Sequence, residues 1–453
     1  MGISLSATKW FTFLSKPTSI APLGVFRIIF GFMMCGSAIR FWSKGWIDSF
    51  FLQPQHFFHY YGFSWIKPMG EIGMYLVFVL LILSSFLVGI GLFYRGASIV
   101  YFVLFTYVEL IDASYYLNHY YFVSLVAFLM CFLPANKTLS VDVWRRPNIE
   151  LNKIPIWMIL LLKFQLAAVY FFAGIAKLNP DWIFDAMPMS IWLQAKAHWP
   201  LLGELFTQKW VAYLSSWVAC FFDLTIVIFL TISRLRPFAY FVLVVFHVLT
   251  GMMFPIGMFP WIMILSTLIF FPPHFHEKIL QAIRSSLPEN STQLLGHNSL
   301  ILSSRKNKIS GLFFTVFIVI QLCLPLRYLL YPGNIFWTEQ GYRFSWRVML
   351  MEKAGTAFFY VIDPKTGQKG EVDNNQFLTL TQEKMMASQP DFILQYAQII
   401  KEVVKSRGLE DPIINAEVYI TLNGSRSKLL FDPSLNLLDI EDGFKNKNWL
   451  YPR

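Results

Sequence analysis

The sequence predicts an all-α polytopic membrane bundle of about nine transmembrane helices, followed by a small extracytoplasmic α+β domain. Three observations carry this. Only 14% of the 453 residues are charged, while 56% are hydrophobic and 18% aromatic; soluble domains carry about 25% charged residues. The apolar residues gather in long blocks, as a membrane span requires. After Pro332 the pattern changes to short alternating segments broken by turn residues.

The blocks fall near residues 20–41, 72–93, 97–112, 119–134, 155–176, 211–233, 237–254, 258–272 and 309–331. A straight span needs about 17–25 residues, so those at 97–112, 119–134 and 258–272 are short. Basic residues divide unequally between alternate connections. Lys9, Lys16, Arg95, Lys137, Arg145, Arg146, Lys153, Arg234, Arg236, Lys278, Arg284, Arg305, Lys306 and Lys308 lie on the N-terminal side. The opposite loops hold only Lys44, Lys67, Lys177, Lys196 and Lys209. The positive-inside rule then places the N-terminus in the cytoplasm and the C-terminal region outside. The first residues lack a cleavable leader pattern and lead into a retained first helix. Their MGxxxS start matches a myristoylation signal, but a multi-span chain needs no lipid anchor.

Residues 1–331 are thus expected to form the membrane part and 332–453 the outer domain. There, VMLMEKAGTAFFYVIDPKTGQKGEVD reads as two strands around a Pro-Lys-Thr-Gly turn. Residues 381–407 read as one amphipathic helix with Pro390 near its start. EVYITLNGSRSKLLFD reads as a hairpin turning at Asn423-Gly424.

The net charge of +10 needs no nucleic acid, since the basic residues lie in short loops and no RRM, zinc finger or basic arm is present. Cys35, Cys131, Cys220 and Cys323 sit inside apolar runs without CxxC spacing, as small apolar fillers. The pairs His56/His59 and His274/His276 lack accompanying carboxylates or thiolates, so no metal site is expected. Asn136, Asn290 and Asn423 match glycosylation sequons. The first two lie on the expected cytoplasmic side, and the third is explained by its turn. P-loop, GxSxG, HExxH and GxGxxG motifs are all missing.

What remains is polar residues at or inside apolar blocks, where they are costly and mark function by default. Lys177 ends the run AVYFFAGIAKLNPDW. Asp112, Asn118 and His119 stand between two blocks in LIDASYYLNHYYF. His247 lies within FVLVVFHVLTGMMF, and GYRFSWRVMLMEK opens the outer domain. A lysine ending a span ordinarily snorkels to the headgroups. Pressed against apolar walls it loses its proton more readily and becomes a competent general base. His119 and His247 alone read equally as satisfied interhelical hydrogen-bonders. Tyr170 lies two turns before Lys177 on the same helical face and is expected to line the same cavity.

These stretches, in this order, resemble the vitamin K-dependent gamma-carboxylase family, whose membrane part is the HTTM domain. FRIIFGFMM, GIGLFYRGASIVYFVLFTYVELIDASYYLNHYYF, LPANKTLSVD, VYFFAGIAKLNPDW, FHVLTGMMFPIGMFPW and GYRFSWRVML carry the likeness over roughly residues 20–355. The resemblance implies a multi-pass enzyme of a bacterial inner or plasma membrane, or of the endoplasmic reticulum. It implies O2-dependent epoxidation of a reduced vitamin K quinol, of phylloquinol or menaquinol type. That oxidation drives CO2 addition to glutamate in a protein substrate. Lys177 matches the base that deprotonates the quinol. Asn118 and His119 match positions beside the quinone, with His119 catalytic. Tyr170 and His247 line the quinone site, and Tyr342, Trp346 and Met349 match the headgroup and glutamate entry.

The chain departs from the family pattern at several places. Ala176-Lys177 stands for a Lys-Lys pair of animal members. Val348 replaces the first Met of the Trp-x-Met-Met motif, and Met351 a His. The positions that supply the family's lumenal disulfide carry no cysteine here, and the outer region is much shorter than in animal members. Two alternatives follow: quinol epoxidation or oxidation without protein carboxylation, or a non-catalytic transport, lipid-binding or assembly protein.

Overall fold

A computed structural model describes residues 12–286, 298–300 and 304–453. The N-terminal MGxxxS motif and Asn290 lie outside them. Strand β1 (Pro17–Ser19) leads into helix α1 (Ala21–Ser43), followed by α2 (Gly70–Ile90), α3 (Tyr94–Ile111) and α4 (Asn118–Phe132). Strand β2 (Lys153–Pro155) pairs with β1 and precedes α5 (Trp157–Lys177), α6 (Lys209–Thr231) and α7 (Arg236–Met253). Helix α8 (Phe259–Thr267) runs on as a 3-10 turn to Phe270. An amphipathic α9 (Pro273–Ser285) and α10 (Ser304–Cys323) complete the helical part.

Each of the nine apolar blocks is a helix, but not each is a full span. Among the described residues, seven helices are long and apolar enough to cross a membrane; α4 and α8 are shorter. The expectation of nine spans is corrected to this set. At 1.5 Å per residue, the residues Asn118–Phe132 cover about 22 Å, short of the roughly 30 Å hydrocarbon core. The block at 97–112 is instead long enough, because α3 starts at Tyr94. Phe86, Val103, Phe221, Phe238, Phe241 and Met252 are exposed on these helices, as lipid-facing positions are. The protein is a multi-pass membrane protein.

Packing of α1 on α2 passes through glycine. A Cβ at Gly31 would lie 2.2 Å from the Gly89 backbone nitrogen and 2.8 Å from the Ser85 carbonyl. Such small-residue crossings let membrane helices touch backbone to backbone. The fully buried Arg27 of α1 donates to the carbonyls of Val88 (3.2 Å), Gly89 (2.6 Å) and Leu139 (2.6 Å). It thereby satisfies the end of α2, where Gly91 adopts φ +69°.

The outer domain is an antiparallel sheet backed by helices. Its strands β3 (Lys353–Ile362), β4 (Lys369–Val372), β5 (Ile413–Leu422) and β6 (Lys428–Leu429) run in the order β4-β3-β5-β6. In β5, alternate residues Ile414, Ala416, Val418, Ile420 and Leu422 are fully buried, the period-2 pattern of a one-sided sheet. The Asn423-Gly424 turn has both φ angles positive, +51° and +73°, as expected. The single helix expected over 381–407 is two, α11 (Leu380–Met386) and α12 (Pro390–Ser406). Pro390 has no N–H to continue a helix and holds Gln389 extended, at φ −118° and ψ 116°. Phe392, Ile393, Tyr396, Ala397 and Ile400 of α12 pack into the core under the sheet.

This domain docks on one end of the bundle. Phe58 stacks on Phe392 at 4.6 Å. The Gln395 amide exchanges hydrogen bonds with the His59 backbone, at 2.8 and 3.0 Å. Asp181 accepts from Asn423 (2.7 Å) and Arg453 (2.6 Å). Asp112, directly after α3, accepts from Gln382 Nε2 (2.8 Å), so the connections following α1, α3 and α5 all meet the domain. Glu150–Arg284 (2.8 Å) and the Asn152–Asn298 backbone bond lie at connections of the other alternate set.

The glycine contact gives a direct test. Gly31→Ala is expected to destabilise the protein by about 1–3 kcal/mol, because the intruding methyl meets backbone that cannot yield. Gly36→Ala, with open space around its Cβ, is expected to be neutral or slightly stabilising. Thermal unfolding in detergent compares the two.

Candidate functional site

Helices α5 and α6 approach closely at Gly174, where a Cβ would meet the Leu224 backbone nitrogen at 2.9 Å. One turn further, Lys177 Nζ lies 2.6 Å from Asp223 Oδ2, and these residues are 6% and 7% exposed. The ammonium also faces the Trp182 ring at 5.4 Å. Lys177 therefore does not snorkel, and it is not the lone lysine against apolar walls that the sequence implied. It is half of a buried ion pair.

The chain after Lys177 explains its depth. Asn179 caps the turn Pro180–Ile183, accepting from the Trp182 N–H. The segment then runs back along α6: the Trp182 indole donates to Ser216 O (2.8 Å), Trp217 donates to Ile183 O (2.9 Å), and Tyr213 donates to Phe184 O (2.9 Å). The end of α5 is thus level with the middle of α6, which begins at Lys209. A lysine at a helix terminus is held inside the protein because the following segment covers it.

A second polar pair lies nearby. Tyr170 Oη and His247 Nε2 are 2.8 Å apart, both buried, while His247 Nδ1 has no hydrogen-bond partner among the described residues. Phe222, beside Asp223 in the chain, is 6.0 Å from the Tyr170 ring and 6.2 Å from the His247 ring. On the other side the Phe259 ring is 5.6 Å from His247 and 5.8 Å from His119. Phe259 therefore separates the two histidines.

His119 belongs to a cavity of about 620 Å³ between the bundle and the outer domain. Phe41, Trp46, Phe50, Phe51, Val108, Ile256 and Phe259 supply apolar wall. Asn118, His119, Glu109, Tyr342 and Arg347 converge on it from other sides. A mostly apolar cavity with a few placed polar groups is the usual form of a small-molecule site. Asn118 Nδ2 donates to the Arg347 carbonyl (3.0 Å), and its Oδ1 accepts from Tyr116 (3.0 Å). Tyr116 Oη also accepts the Phe344 N–H at 2.8 Å.

The segment forming the cavity's outer wall is backbone-strained. Phe344, Trp346 and Met349 have φ of +59°, +58° and +50°, a region that residues other than glycine rarely occupy and that costs of order 1–3 kcal/mol each. Tyr116 and Asn118 hold it from the bundle. Arg343 anchors it from below, bonding to Asp391 and Gln389. Arg347 is only 6% exposed. It stacks over the Tyr328 ring at 4.3 Å, its Nε has no partner, and no ion pair among the described residues includes it.

The expected site residues thus form two groups. Asn118, His119, Tyr342 and Met349 line the cavity. Lys177, Tyr170 and His247 are not among the residues that line it. Trp346 is fully buried behind the wall, stacked on Tyr121 at 4.9 Å. Reading the sequence missed Asp223, Glu109 and Arg347. The signal was present for two of them: Asp223 and Glu109 are carboxylates inside apolar blocks, the same criterion that singled out Lys177.

Residues 15–275 match the HTTM domain family. Residues 306–453 match the family described as vitamin K-dependent gamma-carboxylase, lumenal domain. The chain belongs to the vitamin K-dependent gamma-carboxylase family. No solved structure matches it. The lumenal match takes in the last long apolar helix, Ser310–Leu330, as well as the sheet domain. Membership suggests a carboxylase and implies use of vitamin K hydroquinone and of glutamate-containing protein substrates in a membrane setting.

In this gamma-carboxylase family member the wall anchor lies outside the spans and has a pH signature. Burial alone would raise the Asp391 carboxyl, but the Arg343 guanidinium 2.5 Å away, helped by Lys447, holds it down at about 2. The unfolded carboxyl titrates near 3.8. Its contribution is therefore complete above pH 4 and is lost as pH falls through about 2, because the unfolded state then binds more protons. Acid titration followed by tryptophan fluorescence is expected to show the outer domain intact to about pH 3. Asp391→Asn is expected to lower stability at neutral pH and to flatten this acid limb.

Proposed function

We propose that this protein is a vitamin K-dependent gamma-glutamyl carboxylase in which Lys177 deprotonates a reduced vitamin K-type quinol. Its O2-dependent epoxidation is coupled to CO2 addition on a peptidyl glutamate. The observation that carries this reading is the buried Lys177–Asp223 pair. Two ionisable groups on facing apolar helices are costly to fold and are kept where a proton must be handled.

The residues present fit the quinol. The cavity's volume and aromatic walls suit a flat apolar ring system, and Asn118, His119 and Tyr342 offer hydrogen-bonding groups to its oxygens. When bound, the quinol supplies the reducing electrons and, through reaction with O2, the strong base that activates the glutamate. The chain's own part is positional and electrostatic. Lys177 accepts the proton at Nζ as a neutral amine beside the Asp223 carboxylate, and the ammonium–carboxylate pair of the structure is the state that this protonation produces, a neutral pair rather than an isolated buried cation. Lys177 does not line the cavity; the Tyr170–His247 pair, with Tyr170 two turns before Lys177 on α5 and the His247 ring 5.6 Å from Phe259 of the cavity wall, is the polar group we assign to carry the proton between them. Apolar walls keep water from quenching reactive species. Arg347, which has no carboxylate partner among the described residues, is the cation on hand for the substrate's γ-carboxylate. We place the domain division at 331/332, the N-terminus in the cytoplasm, and the sheet domain outside.

Three variants test this. Lys177→Ala is expected to abolish O2-dependent epoxide formation from reduced vitamin K at matched expression; an indifferent result points to a non-catalytic scaffold. Asp223→Asn is expected to lose most epoxidation while keeping the fold, as judged by size exclusion. Arg347→Gln is expected to raise KM for a Glu-rich peptide roughly tenfold or more, read from labelled bicarbonate incorporation, with the quinol KM little changed. Epoxide without peptide label in the wild type would favour quinol epoxidation alone.

A further inference from the structure

A second cavity lies at the opposite end of the bundle, where the α2–α3 turn meets the segment after α4. Its volume is about 550 Å³, and Arg95, Lys137, Arg145 and Arg146 line it together with Asp142. Asp142 is already engaged. Its Oδ1 accepts the Phe93 N–H (2.9 Å), and its Oδ2 accepts the Tyr94 N–H (3.1 Å) and Asn136 Nδ2 (2.8 Å). None of the four cations takes part in an ion pair among the described residues. The cavity therefore carries an excess of positive charge whose one carboxylate is occupied capping α3.

Its surroundings are those of a membrane surface. Phe93 lines it and is 61% exposed, Trp144, next to Arg145 in the chain, is 66% exposed, and the Arg145 guanidinium lies 4.6 Å from the Phe93 ring centre. Exposed aromatic rings of this kind sit at the headgroup level. Directly along the chain, α3 exposes Ile99, Val100 and Val103, and α4 exposes Phe132. A cationic pocket thus opens beside lipid-facing apolar surface. Nothing in the quinol or glutamate chemistry uses it.

We propose that this cavity binds the phosphate of an anionic phospholipid headgroup, with the acyl chains lying along α3 and α4. The ligand chemistry is a phosphate diester held by guanidinium groups, which match it bidentately. A free phosphate has the same charged group but lacks the apolar part that the adjoining helix faces would cover.

The test uses the full chain in phosphatidylcholine nanodiscs at low ionic strength, with fluorescent phosphatidylglycerol as the probe. Wild type is expected to bind it saturably and to release it as salt rises. Arg145→Gln combined with Arg146→Gln removes two exposed cations. With each basic residue worth about fivefold near a membrane surface, affinity is expected to fall roughly twentyfold. Arg234→Gln combined with Lys278→Gln removes the same charge from exposed positions outside the cavity and is expected to leave binding unchanged. Equal loss in both double variants would overturn the proposal in favour of net charge alone. Displacement of the probe by millimolar inorganic phosphate, at constant ionic strength, would overturn it in favour of a free-phosphate site. Unaltered binding in the Arg145/Arg146 variant would also overturn it. Epoxidation is not needed for any of these readouts, so the result stands apart from the enzymatic reading.

Discussion

The ion pair between Lys177 and Asp223 is the constraint around which the membrane part is arranged. An ammonium and a carboxylate taken out of water each cost several kcal/mol, and only close approach and good geometry offset that cost. The structure meets the requirement with specific devices. Gly174 lets α5 and α6 touch, the turn capped by Asn179 folds Trp182 over the lysine, and the retracing segment is bonded to α6 by three aromatic side chains. Asp181 in the same turn ties that cover to Asn423 and Arg453 of the outer domain. The pair, its lid and the domain above it therefore form one connected set of contacts.

A second dependency runs through the wall segment 342–351. Its left-handed residues persist because groups on both sides fix them: Tyr116 and Asn118 from the bundle, Arg343 through Asp391 from the outer domain. Strain of this kind marks places where a surface shape matters more than local comfort. Here it turns Met349 to the cavity and buries Trp346. The outer domain is thus the far wall of the cavity as well as a separate sheet fold, which explains why the bundle's Asn118 bonds to Arg347, 229 positions later, and why His119 shares a cavity with Tyr342.

Much of the fold was legible in the sequence. Block hydropathy located every long helix, because the bilayer demands continuous apolar length. The β3–β4 and β5–β6 turns followed from Gly-containing turn chemistry. The number of full spans was not legible, because α4 and α8 are apolar without being long, and composition does not distinguish crossing from partial insertion. The split at Pro390 was readable only in part: proline tolerates the first turn of a helix, and the sequence did not say that a preceding helix had already ended at Met386.

For the site, the sequence by itself determined which residues are chemically expensive: Lys177, His119 and His247 in apolar runs, with Asn118 and Tyr170 beside them. It also determined the family, through the order of its motifs. Only the tertiary structure decided who meets whom. It paired Lys177 with Asp223 and Tyr170 with His247, put Phe259 between the histidines, and left Arg347 without a carboxylate among the described residues. The reason is physical: the cost of a buried charge is a property of one residue and its local run, whereas the partner that offsets it lies on another helix, and only packing brings the two within hydrogen-bond reach.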